Sequence, residues 1–552
     1  MISKRLIACV CLLGLETLPT KGVIAADYFV SAAGDDSRQG TFPNIAWRTI
    51  TRANLQALNP GDRLLFRGGD VLEGNLVVKV AGSPSAKSPI TLGSYGQGKA
   101  TIRAVNGTGV AIKNIGGIVI RDLIIESKDR LTNQGSGLSI LNTLSGDMRL
   151  EFVRVENIEV HGFGKDGISV GGAPADNSRS GFRDVRIMGC RASNNAYVGI
   201  HVYGKHDYYA KKYSNRDVAI INCIAHDNPG DPDFLDNHSG NGILIHDVDG
   251  GLIDGCAAFG NGGLCRAKAG GPVGIWAWSS RRLVIQNCVS VRNRTGGNYD
   301  GGGFDFDGGV SESILQYNYS AENDGAGFLV YDFGAAPFRM TGNVIRFNIS
   351  ENDGQKNGFA GIFVKSVGES IECLQVYHNT VFVSPPRSGG ASLPAAVFVE
   401  KSKDCRFHNN LFITSGGCAL VDVAKDQDGL RFQGNHYWAA DGKFLICQAG
   451  KQFSSLEEWR KQHGMERLDA KDVGGDGDPL LNAFGCGEII SQADKRAGLD
   501  RYKPRAGSPL KSGLDLKALF NINSGERDFR GNLLPKDTLP TVGACATSRF
   551  QP

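Results

Sequence analysis

The chain reads as all-β: a right-handed parallel β-helix, or solenoid, with an N-terminal cap and a C-terminal extension. Three observations in its 552 residues predict this fold. A four-residue phrase, nearly always opening on glycine, recurs along the chain. A second apolar strand follows each copy. One column of identical residues keeps step with the repeat.

The phrase runs "GVAI" at 109, "GLSI" at 137, "GISV" at 167, "GIHV" at 199, "GILI" at 242, "GIWA" at 274, "GFDF" at 303, "GFLV" at 327, "GIFV" at 361 and "AVFV" at 396. Intervals of 24 to 43 residues, most near 30, each make one coil of a stack. The second strands include "VAIINCIAHDN", "LVIQNCVSVRN", "SILQYNYSAEN" and "NVIRFNISEN". Aligned on their closing Asn, they put Cys190, Cys223, Cys256 and Cys288 in one column at spacings of 33, 33 and 32, which Asn318 and Asn348 continue. Stacked parallel strands about 4.8 Å apart favour identical side chains at one position of successive coils. These cysteines read as a buried ladder of small apolar groups. They do not read as a metal site, because no two are spaced as C-x-x-C pairs are.

Composition agrees. The 75 glycines are about twice the usual share, which suits many tight turns, and 41% apolar residues rule out disorder. The opening "MISKRLIACVCLLGLETLPTKGVIAADYFV" has a basic start, an apolar run from Leu6 to Leu15, and small residues at Ala25 and Ala26. It reads as a signal peptide over 1–26, so the mature protein is expected to be exported to the periplasm or beyond. No later apolar run is long enough to span a membrane. Formal net charge is +3, about +1 once Lys4, Arg5, Glu16 and Lys21 leave with the leader, so bulk charge gives no support for a nucleic-acid or membrane partner. Of 13 cysteines, Cys9 and Cys11 also leave, and the odd remainder keeps at least one unpaired within the chain.

The expected organisation is a cap with the first coils over 27–100, the solenoid over 101–438 and an extension over 439–552. In the extension "SSLEEWRKQHG" reads as one helix. With its repeat, its "DYFVSAAGDDSRQGT…AWRTITRAN…PGDRLLFRGG" opening and its "DRYKPRAGSPLKSGLDL…RDFRGNLLPKDTLPTVGACA" ending, the chain resembles the pectate-lyase-like superfamily of secreted β-helix proteins. That resemblance covers nearly the whole mature chain and implies the fold. It does not imply one reaction, because this architecture hosts hydrolases, lyases, epimerases and binding proteins.

Function is read from the outer face. In each phrase the residue after glycine points in and the next points out. The outward positions are Ser169 and Gly171, His201 and Tyr203, Leu244 and His246, Trp276 and Trp278, Asp305 and Asp307, Leu329 and Tyr331, Phe363 and Lys365, then Phe398 and Glu400. Aromatic rings beside carboxylates suit a sugar, whose C–H faces stack while its hydroxyls hydrogen-bond. Trp276, Trp278, Tyr203, Tyr331, Asp332, Lys365 and His201 are the candidate substrate-binding residues. Asp305 and Asp307, two apart on one strand, are the leading pair for glycoside hydrolysis, which needs one protonated and one ionised carboxyl. Asp300 and Asp324 at the rung edges and His246 complete the catalytic candidates.

A partial likeness to polygalacturonase-type hydrolases maps their catalytic Asp onto Asp300 in "NYDGGGFDF", one Asp of a pair onto Asp324 in "NDGAGF", and a basic strand onto Lys365 in "GIFVKS". Phe363 stands where that family has arginine, and its Gly-His-Gly has no counterpart. The expected function is an exported, monomeric glycoside hydrolase acting on a polysaccharide or oligosaccharide. A polysaccharide lyase or uronate epimerase, with Lys365, Tyr331, His246, Arg266 or Lys268 as base, and a non-catalytic carbohydrate-binding envelope protein stay open. No cofactor is required by the hydrolase reading. The acidic loop "HDNPGDPDFLDNHSGNG" offers Asp227, Asp231, Asp233 and Asp236 as oxygen ligands for Ca²⁺, without a recognisable loop signature.

Overall fold

The computed structural model describes residues 25–546 apart from 388, 390, 391, 426, 486–498, 512 and 535–538. All but the last two residues of the expected leader lie outside the described residues.

Each coil gives one strand to each of three sheets, and each sheet holds fourteen strands among the described residues. The first sheet runs from Asp27–Val30 to Arg431–Gln433, the second from Val71–Glu73 to Gly475–Asp476, the third from Leu76–Val77 to Lys451–Phe453. Pairing is parallel throughout until Ile446–Gln448 meets Lys451–Phe453 in antiparallel sense. The result is a right-handed parallel β-helix, the hand that crossover connections favour. All three sheets begin before residue 101 and two run past 438. The end coils carry strands of two or three residues, such as Leu76–Val77 and Ile446–Gln448, too short to show an alternation in sequence.

Inward residues of the phrases, Ile275, Ala277, Phe304, Phe306, Phe328 and Val330 among them, fill one continuous apolar core. Phe304 and Phe328 stack at 5.2 Å on adjacent coils. The cysteine column is buried as expected. Each backbone N–H faces the next sulfur at 3.4 Å, from Cys190 to Cys288, and Cys288 N–H then donates to Asn318 Oδ1 at 3.0 Å. Asn318, Asn348, Asn379, Asn410 and Asn435 continue it, each bonded to the next through backbone and side-chain amide. A second ladder runs from Asn195 through Asn228, Asn261 and Asn293 to Asn323. A buried carboxyl ends each one. Glu466 accepts from Asn435 and Asp353 from Asn323, both at 2.7 Å, and burial raises each to about 7.

At the far end the helix Leu456–His463 covers the last coil. Ser455 caps its N-terminus by accepting from Glu458 N–H, and Gly464 at φ 67° ends it. Trp459 is fully buried there and donates to Gln448 Oε1 at 2.7 Å. The chain then returns along the second sheet, where Arg501 and the Tyr502 hydroxyl each bond Glu351 Oε2 at 2.7 Å.

Candidate active site

The third sheet's outer face builds the site. Register places His201, Leu244, Trp276, Asp305, Leu329, Phe363 and Phe398 in one column, as the phrase alignment predicts. In the second column Trp278 follows His246, and Asp307 precedes Tyr331, Lys365 and Glu400. Loops rise on either side and enclose a cleft of about 740 Å³ over these coils, within the range of small-molecule sites. Its walls include Asp236, Asn237 and His238 from the acidic loop, Lys268 to Gly271, and Tyr299 with Asp300.

Besides Asp236 in the wall, three carboxyls of one coil line this cleft. Asp305 is only 2% exposed and lies in the floor, its Oδ1 buried without a hydrogen-bond partner. Asp307, on the same strand Gly302–Asp307, is part-exposed, and its Oδ1 accepts Gly308 N–H at 2.7 Å. Asp300 stands at the strand's entry in the left-handed region, φ 44°, and its Oδ2 accepts Gly271 N–H at 2.7 Å. Gly301 must follow it, because a Cβ there would meet Asp324 Cβ at 2.8 Å. Burial raises Asp300 to about 6. Burial, then the charges of Asp307 and Asp300, lifts Asp305 well above the usual carboxylate range. Burial does the same for Asp307, with the Gly308 N–H opposing it. The three share one low-dielectric space and resist losing all their protons together. Tyr331 beside them is raised to about 12 by burial and by Asp307.

Several expected residues take other places. Trp276 lines the cleft but is 3% exposed, packed with Val198, Leu244 and Val273 as a satellite core, its Nε1 donating to Asn241 Oδ1 at 3.0 Å. Trp278 remains part-exposed, stacked on His246 at 4.4 Å. Tyr203 covers Gly171, where a Cβ would strike its ring at 2.3 Å, and is not part of the cleft lining. Asp324 is outside the lining as well. It pairs with Arg294 at 3.1 Å and accepts Thr295 N–H, holding a turn. Asp332, one position past the outward Tyr331, accepts Gly334 N–H and the Ser366 hydroxyl at the sheet corner. Neither carboxylate is part of the cleft lining.

Lys365 lines the cleft but is bound to Glu400 at 3.1 Å. His246 is neutral, lowered by burial and then by His201, so it carries no imidazolium to act as an acid at neutral pH. Asp247 turns away from it to Arg179. His201 lines the cleft, with Nδ1 3.3 Å from Asp166. The four acidic-loop residues do not gather: Asp227 bonds His226, Asp231 caps Asp233 N–H, and Asp236 faces the cleft. Among the described residues no group of three or more His, Cys, Asp or Glu could hold a metal. Sequence reasoning missed His238, Tyr197, His206, Phe333 and Phe359, all in the lining. The unusually long insertion after "GIHV" was the one available signal for His206 and His238.

Residues 147–366 match the family described as "Right handed beta helix region". The lacto-N-biosidase of Bifidobacterium longum subsp. longum is 23% identical over an alignment covering 94% of this chain and 36% of the relative. The chain thus spans about a third of that relative's length. The crystal structure of the GH136 lacto-N-biosidase from Eubacterium ramulus superposes with a TM-score of 0.51 at 19% identity, over 69% of this chain and 66% of that one. These likenesses show the fold.

Proposed function

We propose that the protein is a glycoside hydrolase that binds an uncharged oligosaccharide in the cleft and cleaves it with Asp307 and Asp300. One observation carries this reading: three carboxyls of raised proton affinity converge in a cleft walled by aromatic rings. Asp307 and Asp300 are the two that a bound sugar can reach. Asp305 lies flush in the floor, where burial and the charges of Asp307 and Asp300 favour its protonated form, so its burial moves the leading pair from Asp305 and Asp307 to Asp300 and Asp307.

Burial raises Asp300 to about 6 and Asp307 well above the usual carboxylate range. A pair sharing one proton is in the state in which one carboxyl protonates the leaving oxygen while the other attacks the anomeric carbon or activates water. kcat/KM is therefore expected to rise through about pH 6 and to fall when the next proton leaves. The likeness to lacto-N-biosidases supports a neutral oligosaccharide as substrate. The lyase reading is disfavoured by the same cleft. A uronate would meet three carboxyls, with Lys365 already paired and Lys268 exposed at the rim. Export and a monomeric state belong to this proposal.

The test offers the purified protein oligosaccharides ending in lacto-N-biose, neutral polysaccharides, polygalacturonate and alginate, with and without calcium. New reducing ends without ultraviolet absorbance, lost in Asp307→Asn and Asp300→Asn, are the expected result. Absorbance from an unsaturated product would replace the hydrolase with a lyase. Binding without cleavage of any of them would leave a carbohydrate-binding protein.

A further inference from the structure

One end of the cleft is lined by His201, His238 and His246, away from the three carboxyls' strand entry. There a chain of hydrogen bonds fixes a tautomer. Asn241 is fully buried, and its Oδ1 accepts from Trp276 Nε1 at 3.0 Å and from Val273 N–H at 3.1 Å. Two donors on the oxygen settle the amide's orientation, so Nδ2 is the group that meets His238 Nδ1 at 2.9 Å. Nδ2 can only donate, and His238 Nδ1 must accept. A neutral ring with Nδ1 as acceptor carries its proton on Nε2.

Packing locks the ring as well. His238 is 9% exposed, lies parallel to Tyr197 at 5.6 Å, and meets Trp276 edge to face at 4.9 Å. Burial lowers its pKa to about 3, so the ring stays neutral at working pH. Beside it His201, 6% exposed, turns Nδ1 to Asp166, and its buried Nε2 has no partner. A buried polar atom without a partner keeps its desolvation cost uncompensated, and a bound hydroxyl group relieves it.

We propose that this end is a recognition subsite for an uncharged sugar ring, in which His238 is the specificity-determining Nε2–H donor and Asn241 the positioning residue that makes it one. The donor reads a hydroxyl or carbonyl oxygen of the sugar while Trp278 and Tyr197 supply apolar wall. An anionic sugar would meet only the rim Lys268 as a cation here, with Asp236 in the same wall to oppose it and His238 and His246 neutral. This inference rests on the cleft being a glycan site but not on the protein being a hydrolase.

The first readout needs no substrate. In ¹⁵N-histidine-labelled protein, with His238→Phe used to assign the signal, His238 is expected at pH 7 as the Nε2–H tautomer. In Asn241→Asp, whose carboxylate accepts a proton from Nδ1, the signal is expected to shift to an Nδ1–H form. An Nδ1–H ring in the wild type would overturn the relay.

The second readout is calorimetric binding in an Asp307→Asn background, using lacto-N-biose, lactose, cellobiose, galactose, N-acetylglucosamine and galacturonate. At least one neutral sugar is expected to bind. Its affinity should fall about tenfold with His238→Phe and recover to within about threefold with His238→Gln, which restores a donor at similar reach. Thermal unfolding of each variant separates lost contact from lost fold. Equal affinity in His238→Phe, preference for galacturonate, or no binding to any of the six overturns the subsite. His238-dependent binding without hydrolysis by the wild type would sink the hydrolase reading and leave the subsite standing. Hydrolysis indifferent to His238 would do the reverse.

Discussion

The inner ladders and the outer column of the third sheet are built by the same rule and put to opposite uses. In both, one side chain per coil stands above its counterpart on the coil below. Inside, the residue hardly changes: four cysteines, then five asparagines, each bonded to the next. Outside, it changes at nearly every step, through His201, Leu244, Trp276, Asp305, Leu329 and Phe363. Repetition satisfies the backbone and every amide at once, whereas a site needs different groups brought to one place. Carboxyls sharpen the contrast. Glu466 ends its ladder with both oxygens hydrogen-bonded, while Asp305 keeps an oxygen with no partner under the cleft. The first is spoken for by the fold, the second is not.

Four substitutions would break or sharpen that comparison. Asp307→Asn is expected to lower kcat about a thousandfold, the scale of a lost general acid or base, without lowering the melting temperature. A loss of stability instead would make Asp307 a structural group like Glu466. Next in size, Asn348→Ala removes four side-chain bonds and strands the Asn318 N–H, while Asn379 Oδ1 keeps the backbone N–H of residue 348. It should cost about 3 kcal/mol in denaturant unfolding while hydrolysis by the folded fraction is unchanged.

Glu466→Gln tests a pH dependence. The carboxyl is raised in the folded chain from 4.5 to about 7, so it is protonated in both states below about 4.5. As pH climbs from there through 7 the unfolded chain ionises first, and the wild type loses stability that the glutamine variant keeps. The two should melt together near pH 4.5 and differ by about 2–3 kcal/mol at pH 8, with the variant the more stable. The smallest effect is expected for Cys256→Ala, at or below about 1 kcal/mol, since it removes one sulfur from a ladder that makes only weak hydrogen bonds. A larger cost would give the cysteines a role beyond filling space.

The fold was legible because a solenoid writes its period into the chain. Glycine openings and the cysteine column fixed coil, register and the inward–outward alternation, and the third sheet pairs as those phrases do. What alternation cannot say is how deep an outward residue ends up. Trp276 points out and is nevertheless buried, because the loop bearing His238 folds back over it. Asp324 and Asp332 sit at corners, where period two no longer applies and a carboxylate serves the nearest backbone N–H. Asp300 was placed at the rung edge, and its strained φ and the Gly271 N–H turn it toward the cleft, a matter of two coils at once. His238 and Asn241 escaped notice because their relation to Trp276 exists only across a loop and a coil.

The antiparallel strand Lys451–Phe453 and the helix after it have a consequence for the molecule's length. Parallel strands stacked coil on coil have the spacing and direction of a fibril, and any open end is a template for another chain. Turning the final strand of the third sheet against its neighbour, and burying Leu456 and Trp459 over the core, makes that end a poor seed. The same few residues thus act as a terminator for the third sheet, closing at one end a stacking pattern that has no limit of its own.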